Sequence, residues 1–181
     1  MPEYRRLNEF TVTPVGVVHT SMDKPAFRPD MGDQDYDNRI KEQRKTRKKL
    51  GSLESELEID PSLEGILDGI EEYSHILVIY WPHLIPEDRR SMRQVHPMGR
   101  KDIPLKGIYA TCSPARPNPI LVSAVRLLER KDNILKVQGL DAVDGSPILD
   151  IKPFTLSYPN YEKVTVPQWL DDLMEDLKKE K

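Results

Sequence analysis

The chain has 181 residues, 38% hydrophobic and 31% charged, and its 30 acidic side chains outnumber 27 basic ones for a net charge of −3. This balance fits one domain over residues 1–181 around a single core and excludes a strongly basic nucleic-acid module. No apolar run reaches the roughly 18 residues of a membrane helix, Glu3, Arg5 and Arg6 stand where a signal peptide would begin its apolar core, and the single Cys112 allows no internal disulfide, so a cytoplasmic location is expected.

Thr11 to His19, rich in valine and threonine, reads as a strand that Pro14 and Gly16 bend or place at an edge. A polar, charged insertion follows over about residues 30–50. Asp30, Asp33, Asp35 and Asp37 open it, and Arg39, Lys41, Arg44, Lys45, Arg47, Lys48 and Lys49 then crowd together against one acid, Glu42. Such a basic run can grip a phosphate backbone, or it can be a solvated loop. Leu53, Ser55, Leu57 and Ile59 alternate with Ser52, Glu54, Glu56 and Glu58, the period of a strand with one wet face. Asp60 and Pro61 start a short helix that carries Leu63, Ile66, Leu67 and Ile70 on one face and ends near Glu72. His75 to Trp81 is a buried-type strand stopped by Pro82, and Ile108 to Thr111 is another, short one. Pro119 to Leu128, Ile134 to Gly139 and Pro147 to Phe154 read as three more. Thr165-Val166-Pro167 opens a C-terminal helix over about 166–179, with Leu170, Leu173, Met174 and Leu177 on one face. Many short strands and two helices favour a mainly β architecture, a β-barrel with its core over about 10–157 and peripheral helices. The nine glycines form no G-x-G-x-x-G behind a strand and no Walker loop, so the fold is non-Rossmann.

Two segments invite a chemical reading. In Ala110 to Ser123, Pro114, Pro117 and Pro119 fix three φ angles and hold Ala115, Arg116 and Asn118 in a rigid, extended arc. In Gly139 to Pro153, Asp144-Gly145 is a turn signal between two β-like runs and predicts a hairpin, with Asp141, Asp144, Asp150 and Lys152 around it. Either segment alone is compatible with a purely structural role. The histidines His19, His75, His83 and His96 and the one cysteine lack the close spacing of zinc ligands, so no metal is expected. Cys112 has a nearby cation in Arg116, yet the sequence supplies no histidine partner for a cysteine nucleophile.

Together with Pro14 to His19, Leu67 to Trp81 and Pro82-His83, the two segments resemble the TsaA/TrmO-like family, S-adenosylmethionine-dependent methyltransferases acting on threonylcarbamoyl-adenosine beside the tRNA anticodon. The resemblance covers most of the chain outside residues 30–60, 84–105 and the C-terminal tail. It implies a β-barrel, S-adenosyl-L-methionine (SAM) as cofactor, tRNA as partner, transfer to N6 of the modified adenine, and a homodimer with the cofactor near the interface. Carried over by position, it implies a cofactor site of Arg28, Pro82, His83, Arg116, Leu121, Val122, Asp144, Gly145, Ser146 and Pro147, with His83 and Arg116 as catalytic candidates. The planar fork of Arg116 suits a carboxylate of cofactor or substrate, and His83 can stack on adenine or accept a proton.

Three features depart from the family pattern. Cys112 stands where bacterial members have arginine, Leu121 where they usually have glycine, and the chain stops soon after a short helix where they carry a further segment. These departures leave two alternatives open: a methyltransferase of the same fold acting on a small molecule or protein, and a SAM-binding regulatory module without catalysis.

Overall fold

A computed structural model describes residues 10–25, 36–155 and 165–178. Its centre is a closed antiparallel barrel in the strand order β1-β2-β7-β6-β3-β8. The strands are β1 (Gly16–His19), β2 (Glu54–Ile59), β3 (His75–Tyr80), β6 (Leu121–Lys131), β7 (Ile134–Gln138) and β8 (Pro147–Pro153). Two further strands, β4 (Gln94–Val95) and β5 (Lys106–Gly107), pair in a small sheet of their own. Helices α1 (Tyr36–Ser52) and α2 (Gln168–Lys178) lie outside the barrel.

The period-two pattern decides which side chains fill the barrel. Ser55, Leu57 and Ile59 of β2 and Ile76, Val78 and Tyr80 of β3 are buried, whereas Glu54, Glu56 and Glu58 face water. Val18, Val125, Leu135, Val137 and Ile148 complete the centre of the core. Closure gives each of the six barrel strands a partner on both flanks, so the barrel has no open edge.

Several elements differ from the sequence expectation, each for a local reason. No helix spans 61–72: Asp60 Oδ1 accepts from the Ser62 amide at 2.9 Å, and turns lead to a single 3-10 turn at Ile70–Glu72. Gly65 at φ 80° and Gly69 at φ 82° occupy left-handed backbone, which interrupts a right-handed helix. The charged stretch read as an insertion loop is instead the helix α1, in which only Ile40 and Leu50 follow Tyr36 as apolar residues, too few to register as a periodic face. The short strand expected at 108–111 is a 3-10 turn over Ile108–Ala110, next to β5. The expected hairpin across Asp144-Gly145 does not form, because β7 pairs with β2 and β6 while β8 pairs with β1 and β3. The tight hairpin lies between β6 and β7, where Asp132 takes φ 52°.

The C-terminal helix is strapped down within the chain. Leu173 is buried and Leu170, Met174 and Leu177 are half-buried. The Arg44 Nε donates to the Asp176 carbonyl at 2.6 Å, and the buried Arg100 guanidinium pairs with Asp176 at 3.1 Å and with Asp102 at 2.7 Å. The apolar face of α2 is therefore largely occupied by its own chain.

The register also sorts the connections. Val17 pairs with Pro147, His19 with Glu56, Glu54 with Gln138, and Tyr80 with both Leu121 and Ile148. The ends of β1, β3 and β7 and the beginnings of β2, β6 and β8 thus share one mouth of the barrel. Among the described residues, 20–25, 36–53, 81–120 and 139–146, which include most of the candidate site residues, connect the strands at this mouth.

Candidate functional site

The segment around Asp144 and Gly145 is not a free turn but a loop stitched across the mouth. The Asp144 amide donates to the Met22 carbonyl and the Gly145 amide to the Val18 carbonyl, both at 2.8 Å, and the Thr20 amide donates to Asp144 Oδ1 at 3.0 Å. The Val18 amide donates to the Ser146 carbonyl at 3.0 Å and the Trp81 amide to the Pro147 carbonyl at 2.9 Å. The Asp144, Gly145 and Ser146 amides all donate within the protein, and the Asp144 side chain is exposed, with one carboxylate oxygen accepting from the Thr20 amide. Gly145 holds φ 77°, a backbone state that favours glycine.

The same stitches bring Pro82-His83 onto this loop. His83 Nδ1 lies 3.4 Å from the buried Ser146 hydroxyl, and a Cβ added at Gly145 would sit 3.8 Å from His83 Nε2. The His83 side chain is exposed, and beside it the Arg90 guanidinium stacks 5.2 Å from the Trp81 ring centroid. The pairing of Leu121 with Tyr80 places the start of β6 at the same rim. Pro82, His83, Leu121, Asp144, Gly145, Ser146 and Pro147 are thus gathered at one place.

Other candidates fall differently. The proline-rich arc is not extended throughout: the Arg116 amide donates to the Pro114 carbonyl at 2.9 Å and the Ile120 amide to the Asn118 carbonyl at 2.8 Å, two three-residue turns. Arg116 Nε donates to the Ser113 carbonyl at 2.8 Å and its Nη2 to the Thr111 carbonyl at 2.6 Å. The guanidinium therefore braces its own loop, leaving Nη1 for a ligand, and no carboxylate pairs with it among the described residues. Val122 faces out of the barrel wall at 58% exposure, opposite to Leu121, which packs against the core. Arg28 and the Arg39 side chain lie outside the described residues.

Sequence reasoning missed Tyr80. Its inward position follows from the alternation of β3, but nothing in the sequence shows that its hydroxyl donates to the Asp141 carbonyl at the root of the loop. Burial pushes the Tyr80 phenol up to about 12, opposed by a hydrogen bond with Ser123. Burial also pushes the Asp141 carboxyl above the usual carboxylate range.

The remaining histidines have structural partners. His19 Nε2 pairs with Glu58 at 2.7 Å, His75 Nδ1 with the Ser74 hydroxyl at 2.9 Å, and His96 Nδ1 with the Ile103 carbonyl at 2.7 Å. Cys112 is free and exposed. Among the described residues no group of ligating side chains could hold a metal, and no helix is long and apolar enough to cross a membrane.

Residues 36–159 match the family model described as the tRNA-methyltransferase O N-terminal domain. A probable S-adenosyl-L-methionine-binding protein of Methanothermobacter thermautotrophicus is 38% identical over 146 residues, which cover 81% of this chain and 90% of that protein. A protein of the same description from Pyrococcus abyssi is 34% identical over 166 residues, covering 92% of this chain and 79% of its own. The crystal structure of TrmO from Pseudomonas aeruginosa superposes with a TM-score of 0.62 and 25% identity over 91% of this chain. The present chain spans 63% of that structure's length, a little under two thirds.

Proposed function

Because the chain belongs to the tRNA-methyltransferase O N-terminal domain family, we propose that it binds SAM at this barrel mouth and methylates N6 of threonylcarbamoyl-adenosine in tRNA. The observation that carries this reading is the union of Pro82-His83 with Asp144 to Pro147 through the His83–Ser146 contact and the Trp81–Pro147 hydrogen bond.

The groups present suit the cofactor. SAM carries a cationic sulfonium and an ammonium, together with ribose hydroxyls that donate, and the exposed Asp144 carboxylate of the loop is an acceptor for such groups. The missing side chain at Gly145 leaves the His83 edge uncovered, so a planar base can lie along it. Bound there, the cofactor supplies an electrophilic methyl group for in-line displacement. The residues of the chain supply position: stitched backbone fixes the loop before any ligand arrives, which favours a near-attack geometry. His83 is the candidate to accept the proton that the adenine nitrogen must lose. Arg116 Nη1 is the donor left to meet a carboxylate, either the methionine carboxylate of the cofactor or that of the threonyl group.

The same reading includes a cytoplasmic homodimer with the cofactor near the interface. Its support is the outer wall of the barrel, where Val122 at 58% exposure pairs in register with Ile79 and Ile120 is 37% exposed. In such a dimer the outward Val122 would approach the cofactor of the partner rather than of its own mouth. A second reading, a SAM-binding module without catalysis, draws on Arg116 being largely occupied by its own loop. Calorimetry with SAM, followed by methyl transfer to threonylcarbamoylated and unmodified tRNA, tests both. Transfer to the modified tRNA alone is expected; tight SAM binding with no turnover on any tRNA would favour the second reading, and no SAM binding would refute both.

A further inference from the structure

The basic run of α1 is divided by the fold into two parts with different work. Ile40 and Gln43 are buried, the latter donating from Nε2 to the Met98 carbonyl at 3.0 Å. Arg44 reaches the Asp176 carbonyl and Arg47 Nη1 lies 3.3 Å from the Met174 sulfur. Positions 40, 43 and 44 are thus the docked side of the helix, with Arg44 engaged in holding α2 and the exposed Arg47 touching α2 at its margin. Lys41, Lys45, Lys48 and Lys49 are all exposed, and none has an ionic partner among the described residues. Their spacing places Lys41, Lys45 and Lys48 in one stripe, with Lys49 beside it.

We propose that this lysine stripe is the surface that grips the phosphate backbone of the RNA substrate, while Arg44 is engaged in docking α2. The proposal rests on the tRNA reading given above. Like charges at helical spacing repel one another, and polyanion phosphates would relieve that repulsion. The stripe also leads to the reaction site: the helix ends at Ser52, the Leu53 amide returns to the Leu50 carbonyl at 3.0 Å, and the Gly139 amide donates to the Leu53 carbonyl at 2.9 Å. Gly139 opens the loop that carries Asp144 to Pro147, so a strand lying along α1 arrives at the mouth. The neighbouring barrel wall directs it there, because the outward Glu54, Glu56 and Glu58 of β2 repel phosphate, with Lys136 drawn to Glu54 at 2.7 Å. An anionic membrane fits the same charge less well. After Tyr36 the helix carries only Ile40, which is buried, and Leu50, which is half-buried, so it has no apolar face to insert.

The test is tRNA binding by fluorescence anisotropy over a range of salt concentrations for wild type and the quadruple variant Lys41→Gln/Lys45→Gln/Lys48→Gln/Lys49→Gln. Exposed lysine-to-glutamine changes keep the helix, and Lys131→Gln, at the far end of the barrel, is the control. Each phosphate deprived of its lysine lowers the salt slope by about 0.9, so the quadruple variant should fall by about 3.6 in slope and at least tenfold in affinity near 0.1 M salt. KM for tRNA should rise with kcat and SAM affinity little changed, and Lys131→Gln should match wild type. The reversal Lys45→Glu alone should weaken binding more than Lys45→Gln does. Unchanged slope and affinity in the quadruple variant, with wild type binding tRNA, would overturn the proposal while leaving the methyltransferase reading intact. A wild type that binds SAM but neither binds nor methylates any tRNA would remove the tRNA reading and this surface with it. Loss of binding to phosphatidylserine vesicles with tRNA binding retained would overturn it in favour of a membrane.

Discussion

Tyr80→Phe removes one oxygen from the barrel and leaves its volume nearly unchanged, so its effect isolates the hydrogen bonds of one hydroxyl, to the Asp141 carbonyl and with Ser123. In the folded protein the hydroxyl donates to the Asp141 carbonyl from a ring only 3% exposed. Without it that half-buried carbonyl has no donor, a loss of about 1–3 kcal/mol at neutral pH. A second signature appears in alkali. The phenol is pushed from its ordinary 10.0 up to about 12 by burial, so between those values the folded chain keeps a proton that the unfolded chain releases. Stability contributed by this group is complete below pH 10 and is lost as pH rises towards 12, by about 3 kcal/mol over two units. Urea melts of wild type and variant at pH 8 and at several points above pH 10 measure both terms, and subtracting the two curves cancels the exposed tyrosines. The stability gap should narrow as pH rises and close or reverse near pH 12. Because Asp141 roots the loop of Asp144 to Pro147, SAM affinity should also fall severalfold. Equal stability at pH 8, parallel alkaline curves and equal SAM affinity would refute the idea that this hydroxyl holds the loop.

Three further substitutions probe the frame around the site. Gly16→Ala places a Cβ 2.3 Å from the Glu58 carbonyl oxygen, a backbone atom that cannot step aside, so denaturant melts should show a loss of about 3 kcal/mol or more. Gly145→Ala must hold φ 77° with a side chain, which destabilises by roughly 1–2 kcal/mol and, beside His83, should lower SAM affinity in calorimetry. Asp176→Asn removes one of the two carboxylates that pair with the buried Arg100 guanidinium among the described residues and should lower stability by about 1–3 kcal/mol and expose Trp169 of α2 to fluorescence quenchers. The surviving partner adds a pH test: the hydrogen bond from Arg100 holds the Asp102 carboxyl below its ordinary 3.8. Its contribution is present above pH 3.8 and is lost as pH falls through the lowered value, so acid unfolding should begin at higher pH in Asp102→Asn.

The barrel was legible because its strands are half-wet, and alternation survives in the sequence. Ser55, Leu57 and Ile59 against Glu54, Glu56 and Glu58 fix the inward face of β2 without reference to any neighbour. Pairing was not legible. Asp144-Gly145 carries the local chemistry of a hairpin turn, yet β8 is claimed by β1 and β3, a long-range choice that local turn preferences do not encode. The helix α1 was hidden for the opposite reason: it docks through the buried Gln43 and the half-buried Arg44, polar side chains held by Met98 and Asp176, not through an apolar stripe. Conversely, Leu63, Ile66, Leu67 and Ile70 mimic a helical face that Gly65 and Gly69 prevent from forming, and Ile66 is left 58% exposed.

The arc around Arg116 shows how far the site itself could be read. Three prolines announce rigidity, but the shape of the arc is set as much by the arginine, which bridges the Thr111 and Ser113 carbonyls with two donors of one planar group. A lysine, with a single compact ammonium, cannot span both acceptors in that plane, so Arg116→Lys should loosen the arc even where charge is kept. Cys112 stands between those two residues in sequence and is exposed, making no part of the brace. Of the positions where this chain departs from the bacterial pattern, Cys112 is therefore one that meets the outside of the arc. In the proposed reading its replacement changes which group a substrate would meet there, while the loop of Asp144 to Pro147 and its stitches to β1 and β3, which would cradle the cofactor, do not depend on it.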